Sequence, residues 1–338
     1  MVNLMQEQKI AGVQGNRNLV RTGRHSRIIM TLCAVAGAMI LLMAAGCVQQ
    51  QETVVSADNG TTPLTVAVTI LPQEQFVESI AGEHARVIVL VPPGADPHTH
   101  EPTPKQLEDI GQASVYFKVG SGIEFERAWM DKLSGVNPRM TVVDSSTGIQ
   151  LISGYQDPNE EDAAPNAPDK PEMQRSADPH IWLSPKNAKI MVENTYQGLA
   201  RADPVHKAEY RANTDAYLKE LDELDADISH EISQKQIHTI MVYHPAWSYF
   251  ARDYGLLQIP IETDGKDPTP MGIENLIRQA KADNITVIFA SPEYSTKSAD
   301  VIAKEIGGSV ALVNPLEEDY LGNIRNVSSA FTKGVSSK

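Results

Sequence analysis

A chain of 338 residues, 41% hydrophobic and 6% aromatic, carries enough apolar surface for ordinary globular cores, and its length favours two lobes over one. Its 29 basic against 43 acidic residues, a net charge of −14, exclude nucleic acid as a natural partner, because phosphate binding needs a basic face. Only two cysteines occur, Cys33 and Cys47, both in or just after one apolar run, so any transition metal held further along must sit on nitrogen and oxygen rather than on thiolates.

Arg17, Arg21, Arg24 and Arg27 precede that run, which is apolar from Ile28 to Ala45, and the small residues Ala44, Ala45 and Gly46 precede Cys47. This is the make-up of an export signal. The ending "AAGC" resembles a lipoprotein signal, in which the cysteine becomes the lipid-bearing first residue, although Ala44 stands where such motifs usually carry Leu. The alternative is an uncleaved membrane-spanning helix, since about 18 apolar residues approach the minimum span. Either reading puts the chain from about residue 48 onward outside the cytoplasm, anchored to the outer face of the membrane or periplasmic. Residues 1–46 are expected as the signal, Cys47 as the lipidation site and the polar stretch 47–63 as a flexible tether.

"LTVAVTI" alternates β-branched residues and reads as a first strand. The helix-like "EQFVESIAG", the strand "RVIVLVP", a loop with an Asp-Pro-His triplet, the helix "TPKQLEDIGQA" and the strand "VYFKVG" follow. This rhythm implies a parallel sheet with ligand loops at the carboxyl ends of its strands. From Gln156 to Asp178 four prolines and seven acidic residues, with almost nothing apolar, predict a surface insertion without fixed structure.

After Asp203-Pro204, suited to cap and first helical turn, Tyr210, Thr214, Tyr217, Leu221, Leu224, Ile228 and Ile232 recur every three or four residues. The spacing predicts a helix of about thirty residues, roughly 45 Å, able to cross from one lobe to the other. The rhythm then restarts with "HTIMVYH", "PAWSYFARDYG", "MGIENLIRQAKADN", "ITVIFA", "KSADVIAKEIGG" and "SVALVNP" as strand, helix, helix, strand, helix and strand. The expected organisation is α/β, with lobes at 64–203 and 236–338, each a mainly parallel sheet flanked by helices, joined by a single long rigid helix at 204–235.

Of nine histidines, His98 and His180 each close an Asp-Pro-His triplet. Proline fixes its own φ and pushes the Asp toward an extended conformation, so the histidine leaves in a restricted direction. The nearby aspartates are candidates to accept the imidazole N–H while the other ring nitrogen binds a metal. His244, at the end of "TIMVYH" and followed by Pro245, sits at a strand-to-helix junction. Three such imidazoles converging in a cleft would make a nitrogen-rich divalent cation site; singly, each is equally at home as a hydrogen-bonded surface or packing residue. His100 is a second ligand, an entry residue or simply exposed. His84, His206, His230 and His238 have no junction context.

The blocks "VPPGADPHTHEPTPKQLEDIGQASVYFKVGSGIEFE", "ADPHIWLSPKNAKIM", "VYHPAWSYFARDYGL" and "PEYSTKSADVIAKEIGGSVALVNPLEEDY" resemble, in order, the zinc and manganese solute-binding proteins that feed ABC importers, the ZnuA-like group. The resemblance spans roughly residues 64 to 331. It implies two α/β lobes joined by one rigid helix with the metal buried between them, and it matches His98, His180 and His244 to the first three ligands. In manganese-type members the third position tends to be Glu, so His there goes with Zn²⁺, as does ligand softness, with Mn²⁺ or Fe²⁺ as alternatives. The fourth ligand in many relatives is an Asp where this chain has Asn314; the expectation is the Asn314 carbonyl, water or Glu293. The histidine-rich loop of many zinc-type relatives corresponds to the acidic insertion, which has no histidine.

The resemblance further implies a monomer that gives its metal to an ABC permease with its ATPase. A metal-dependent surface adhesin would share the same site, with no transport. A secreted zinc hydrolase is the competing class, but the sequence has no HExxH helix and no carboxylate at a spacing from a ligand histidine that would place it against a metal-bound water, so the chain is read as a non-enzyme.

Overall fold

The computed structural model describes residues 62–153, 177–263 and 265–334. Two four-stranded parallel sheets carry the fold. The first comprises β1 (Leu64–Val68), β2 (Ala85–Val89), β3 (Val115–Lys118) and β4 (Thr141–Asp144) in the order β2-β1-β3-β4. The second comprises β5 (Thr239–Val242), β6 (Leu257–Pro260), β7 (Val287–Ala290) and β8 (Ser309–Leu312) in the equivalent order β6-β5-β7-β8. The two halves are the same topology twice. In each, the chain steps from the first strand to one neighbour and then crosses to the other side. Loops beyond the carboxyl ends therefore part and leave a crevice, where ligands of open α/β sheets bind.

The helices follow local signals. In the first half, α1 is Leu71–Ala81, α2 Pro104–Ile110, α3 Glu124–Val136 and α4 Pro185–Ala202. Thr103 and Gln106 form a reciprocal capping box at α2, and the Ser184 hydroxyl accepts the Asn187 N–H at 3.0 Å to open α4. Where α4 crosses the first sheet at Gly198, the missing side chain lets the helix lie against Phe117 and Val143. In the second half, α6 (Ser248–Tyr254) and α8 (Lys297–Ile306) each end on a left-handed glycine, Gly255 and Gly307, which turns the chain at once into β6 and β8. The helices α7 (Pro270–Ala282) and α9 (Tyr320–Lys333) complete it.

The long helix α5 runs from Lys207 to Lys235, 29 residues. Its seven predicted apolar-face positions, Tyr210 to Ile232, are the buried ones, and they pack on α1 and α4 of the first half and α9 of the second. Phe76 of α1 meets Tyr320 of α9 edge-on at 5.0 Å, so one hydrophobic cluster runs through the first half, along α5 and into the inner side of the second. A smaller cluster lies between the second sheet, α7 and α8.

Three details depart from expectation. Pro204–His206 is a separate 3₁₀ turn before α5, and Asp203 does not cap it: its carboxylate takes the His206 ring at 2.6 Å and the Tyr210 hydroxyl at 2.7 Å. The acidic insertion ends sooner than Asp178. Ala177 bridges Ser153, and Asp178 is 3% exposed with its N–H on the Ile152 carbonyl, because its side chain has a partner inside. Finally, α3, β4, α4, β6 and α9 were not separately legible. The strand β4, for one, is only four residues long with no fully buried position. The proposed signal, Cys47 and the tether as far as residue 61 lie outside the described residues; among those described, no helix is long and apolar enough to cross a membrane.

Candidate metal centre

Each half sends side chains from the carboxyl ends of its strands into one gap. His98 lies nine residues beyond β2 rather than at the strand end itself. Its loop is a tight turn in which the Asp96 carbonyl accepts the N–H groups of Thr99 and His100, and Asp96 Oδ1 accepts the His98 N–H at 2.9 Å. His180 closes the long connection from β4 to α4 and opens the 3₁₀ turn Ile181–Leu183. There Asp178 Oδ1 accepts the His180 N–H, again at 2.9 Å. The two Asp-Pro-His triplets thus fold alike: a carboxylate takes the amide two residues on, and proline holds the bend. His244 follows β5 by two residues.

The three rings meet. His180 Nε2 lies 3.2 Å from both His98 Nε2 and His244 Nε2, and one ligand nitrogen from each falls within 4.8 Å of the others. Tetrahedral zinc with Zn–N near 2.0–2.1 Å would place its nitrogens roughly 3.3 Å apart, so the spacing fits one ion.

What faces the opposite nitrogen decides the chemistry. His98 Nδ1 donates to Glu124 Oε2 at 2.6 Å, His180 Nδ1 to Asp178 Oδ1 at 2.9 Å and His244 Nδ1 to Glu262 Oε1 at 2.6 Å. With every Nδ1–H committed to a carboxylate, the neutral rings present only lone pairs at Nε2. Three lone pairs turned on one point repel unless a cation stands among them. The carboxylates behind the rings orient them and raise their basicity. The aspartates of the triplets were the expected partners. Asp178 is one, but the ring of His98 is held by Glu124 and that of His244 by Glu262. Neither glutamate has a sequence spacing that marks it, although each falls just past a strand end, where the fold collects its ligands.

Burial pushes the His180 imidazole down to about 4, so it is neutral at ordinary pH. At His98 burial acts the same way, but the hydrogen bond and charge of Glu124 outweigh it and the net shift is upward.

The cavity at the rings is lined by Pro97, Trp182, Glu293, Tyr294, Pro315 and Leu316. Tyr294 lies against the His244 ring, 4.8 Å between centroids, and its hydroxyl reaches across to Asp96 Oδ1 at 3.4 Å. Trp182 joins the halves by donating its indole N–H to the Pro315 carbonyl at 2.8 Å. Asn314 is not turned to the rings: its Oδ1 accepts the Leu316 N–H at 2.9 Å and its Nδ2 donates to Glu317 at 2.8 Å. Glu293 lines the cavity but is not among the atoms within 4.8 Å. His100 stacks on Phe125 outside the cluster, and His84 stacks on His206 at 3.8 Å, also apart from it.

Two like α/β halves, a helix binding them into one core and a histidine-lined gap between them define a two-lobed binding protein for a metal ion. The family described as zinc-uptake complex component A, periplasmic (ZnuA), matches residues 66–334, and the chain belongs to it. It is 30% identical over 291 residues to the high-affinity zinc uptake system protein ZnuA of Bacillus subtilis, across 85% of this chain and 88% of that one. A crystal structure of ZnuA aligns with a TM-score of 0.74 at 38% identity, covering 81% of this chain and 100% of that chain. A ZnuA deletion mutant with zinc bound aligns with a TM-score of 0.73 at 37% identity, covering 82% and 99%.

Proposed function

We propose that this protein captures a divalent transition metal outside the cytoplasm, Zn²⁺ foremost, and delivers it to the permease of an ABC importer. The observation that carries the reading is the convergence of three Nε2 lone pairs, with each Nδ1–H locked on a carboxylate. Three imidazole donors favour zinc over manganese, whose preference is for oxygen. The family's zinc-uptake description and the zinc-bound relative support the same ion. The ion is cargo: Glu124, Asp178 and Glu262 are engaged with ring N–H groups, which favours holding a metal over activating a metal-bound water. Lipid on Cys47, with residues 48–63 as tether, would keep the binding lobes beside the permease.

Titrating the metal-free full chain with Zn²⁺ while following thermal unfolding tests the reading. At about a hundredfold excess over Kd, binding adds roughly 2.7 kcal/mol, enough to raise the midpoint by several degrees. His180→Ala should abolish that rise, whereas His230→Ala, on the exposed face of α5, should leave it intact. A wild-type midpoint that ignores Zn²⁺ overturns the function.

A further inference from the structure

We infer that Glu293 is the fourth donor to the metal held by His98, His180 and His244, an inference that rests on the metal-capture reading above. Three imidazoles leave one vertex of a tetrahedral zinc ion open. Of the side chains lining the cavity at the rings, those of Glu293 and Tyr294 carry oxygen. The Tyr294 hydroxyl is directed to Asp96. Asn314 is occupied by its own loop through both side-chain polar atoms, and its carbonyl accepts from Asn323 Nδ2 at 2.7 Å.

Glu293 is in the opposite condition. Its Oε2 is shielded from solvent and has no hydrogen-bond partner among the described residues. An unpaired carboxylate oxygen removed from water is costly, and a cation beside it removes that cost. Burial, with the charge of Asp96, pushes the Glu293 carboxyl up, the direction expected of a carboxylate shielded from water. Its carboxylate stands outside the 4.8 Å cluster, and rotation about its own side-chain bonds is the movement that would bring it in.

The assignment also explains how this chain tolerates a neutral residue at 314. An anionic donor arrives instead from the neighbouring loop of the same half, between β7 and α8. The ion then takes two ligands from each half, His98 and His180 from one and His244 and Glu293 from the other. The carboxylate cancels part of the +2 charge that neutral imidazoles leave in place, which water cannot do.

The test uses the full chain stripped of metal, with Zn²⁺ affinity measured by competition against a chromophoric chelator. Co²⁺ serves as a second probe, its visible d–d bands reporting the donor set. Glu293→Gln should weaken Zn²⁺ by at least about tenfold and alter the Co²⁺ bands. Asn314→Ala should leave the Co²⁺ bands as in wild type. The metal-free unfolding midpoint of Glu293→Gln should not fall, since the change removes a buried unpaired charge. Wild-type affinity and wild-type bands in Glu293→Gln, with binding lost in His180→Ala, overturn Glu293 as ligand and leave metal capture standing. Zn²⁺ binding that survives His180→Ala unchanged brings down the capture reading itself.

Discussion

Replacing Glu262 by Gln separates the charge behind His244 from the hydrogen bond that orients it. Glu262 Oε1 accepts the His244 Nδ1–H at 2.6 Å, and its side chain is only 4% exposed. A zinc ion about 2.0 Å from His244 Nε2 would stand roughly 6 Å from that carboxylate, across the ring. At an effective dielectric constant near 20, a divalent ion and a unit charge at that separation attract by roughly 5 kcal/mol. Gln keeps an acceptor and its surroundings relax, so the expected loss is smaller, about 10–100-fold in affinity, or about 1.4–2.8 kcal/mol. The same change at Glu124, behind His98, removes a charge that is 46% exposed and screened by water and salt. Glu124→Gln should therefore weaken Zn²⁺ binding less than Glu262→Gln. Chelator competition at neutral pH and fixed ionic strength reads both. An affinity for Glu262→Gln within about threefold of wild type, or a larger loss at Glu124, would refute the reasoning that burial sets the strength of these pairs.

Two further changes probe the scaffold. At Gly198 a methyl group would lie 2.4 Å from Phe117 Cε1 and 3.0 Å from Val143 Cγ2, against a fully buried ring. Gly198→Ala should thus destabilise the fold by about 1–3 kcal/mol through overpacking, seen as a lower unfolding midpoint, and an unchanged midpoint would mean that α4 lifts off the sheet freely. Burial, with Glu78 and Glu318 nearby, pushes the Glu74 carboxyl up from 4.5 to about 7. A carboxyl with its folded pKa above its unfolded value loses stability as pH rises between the two, so Glu74→Gln should raise the midpoint above pH 7 and leave it alone below pH 4.5. An equal effect at both ends would remove the titration of Glu74 as the cause.

Periodicity and punctuation carried much of this protein. The seven buried positions of α5 stood out because one apolar face repeats along a single helix, and burial there needs no knowledge of what lies opposite. The Asp-Pro-His triplets stood out because proline's restriction is local, and each aspartate does grip the amide two residues on. His244 was legible from its place beyond an apolar strand. Short elements such as β4, with no fully buried position, left no such trace.

Tertiary structure alone decided that Glu124 and Glu262 stand behind the rings of His98 and His244, that Asn314 turns into its own loop, and that Glu293, lining the cavity, has a buried oxygen unpaired among the described residues. Those outcomes depend on the directions of side chains arriving from different strand ends, brought together only when both sheets have formed and α5 has joined them. Chain-local chemistry settles what a residue can do; distance across the fold settles with whom it does it.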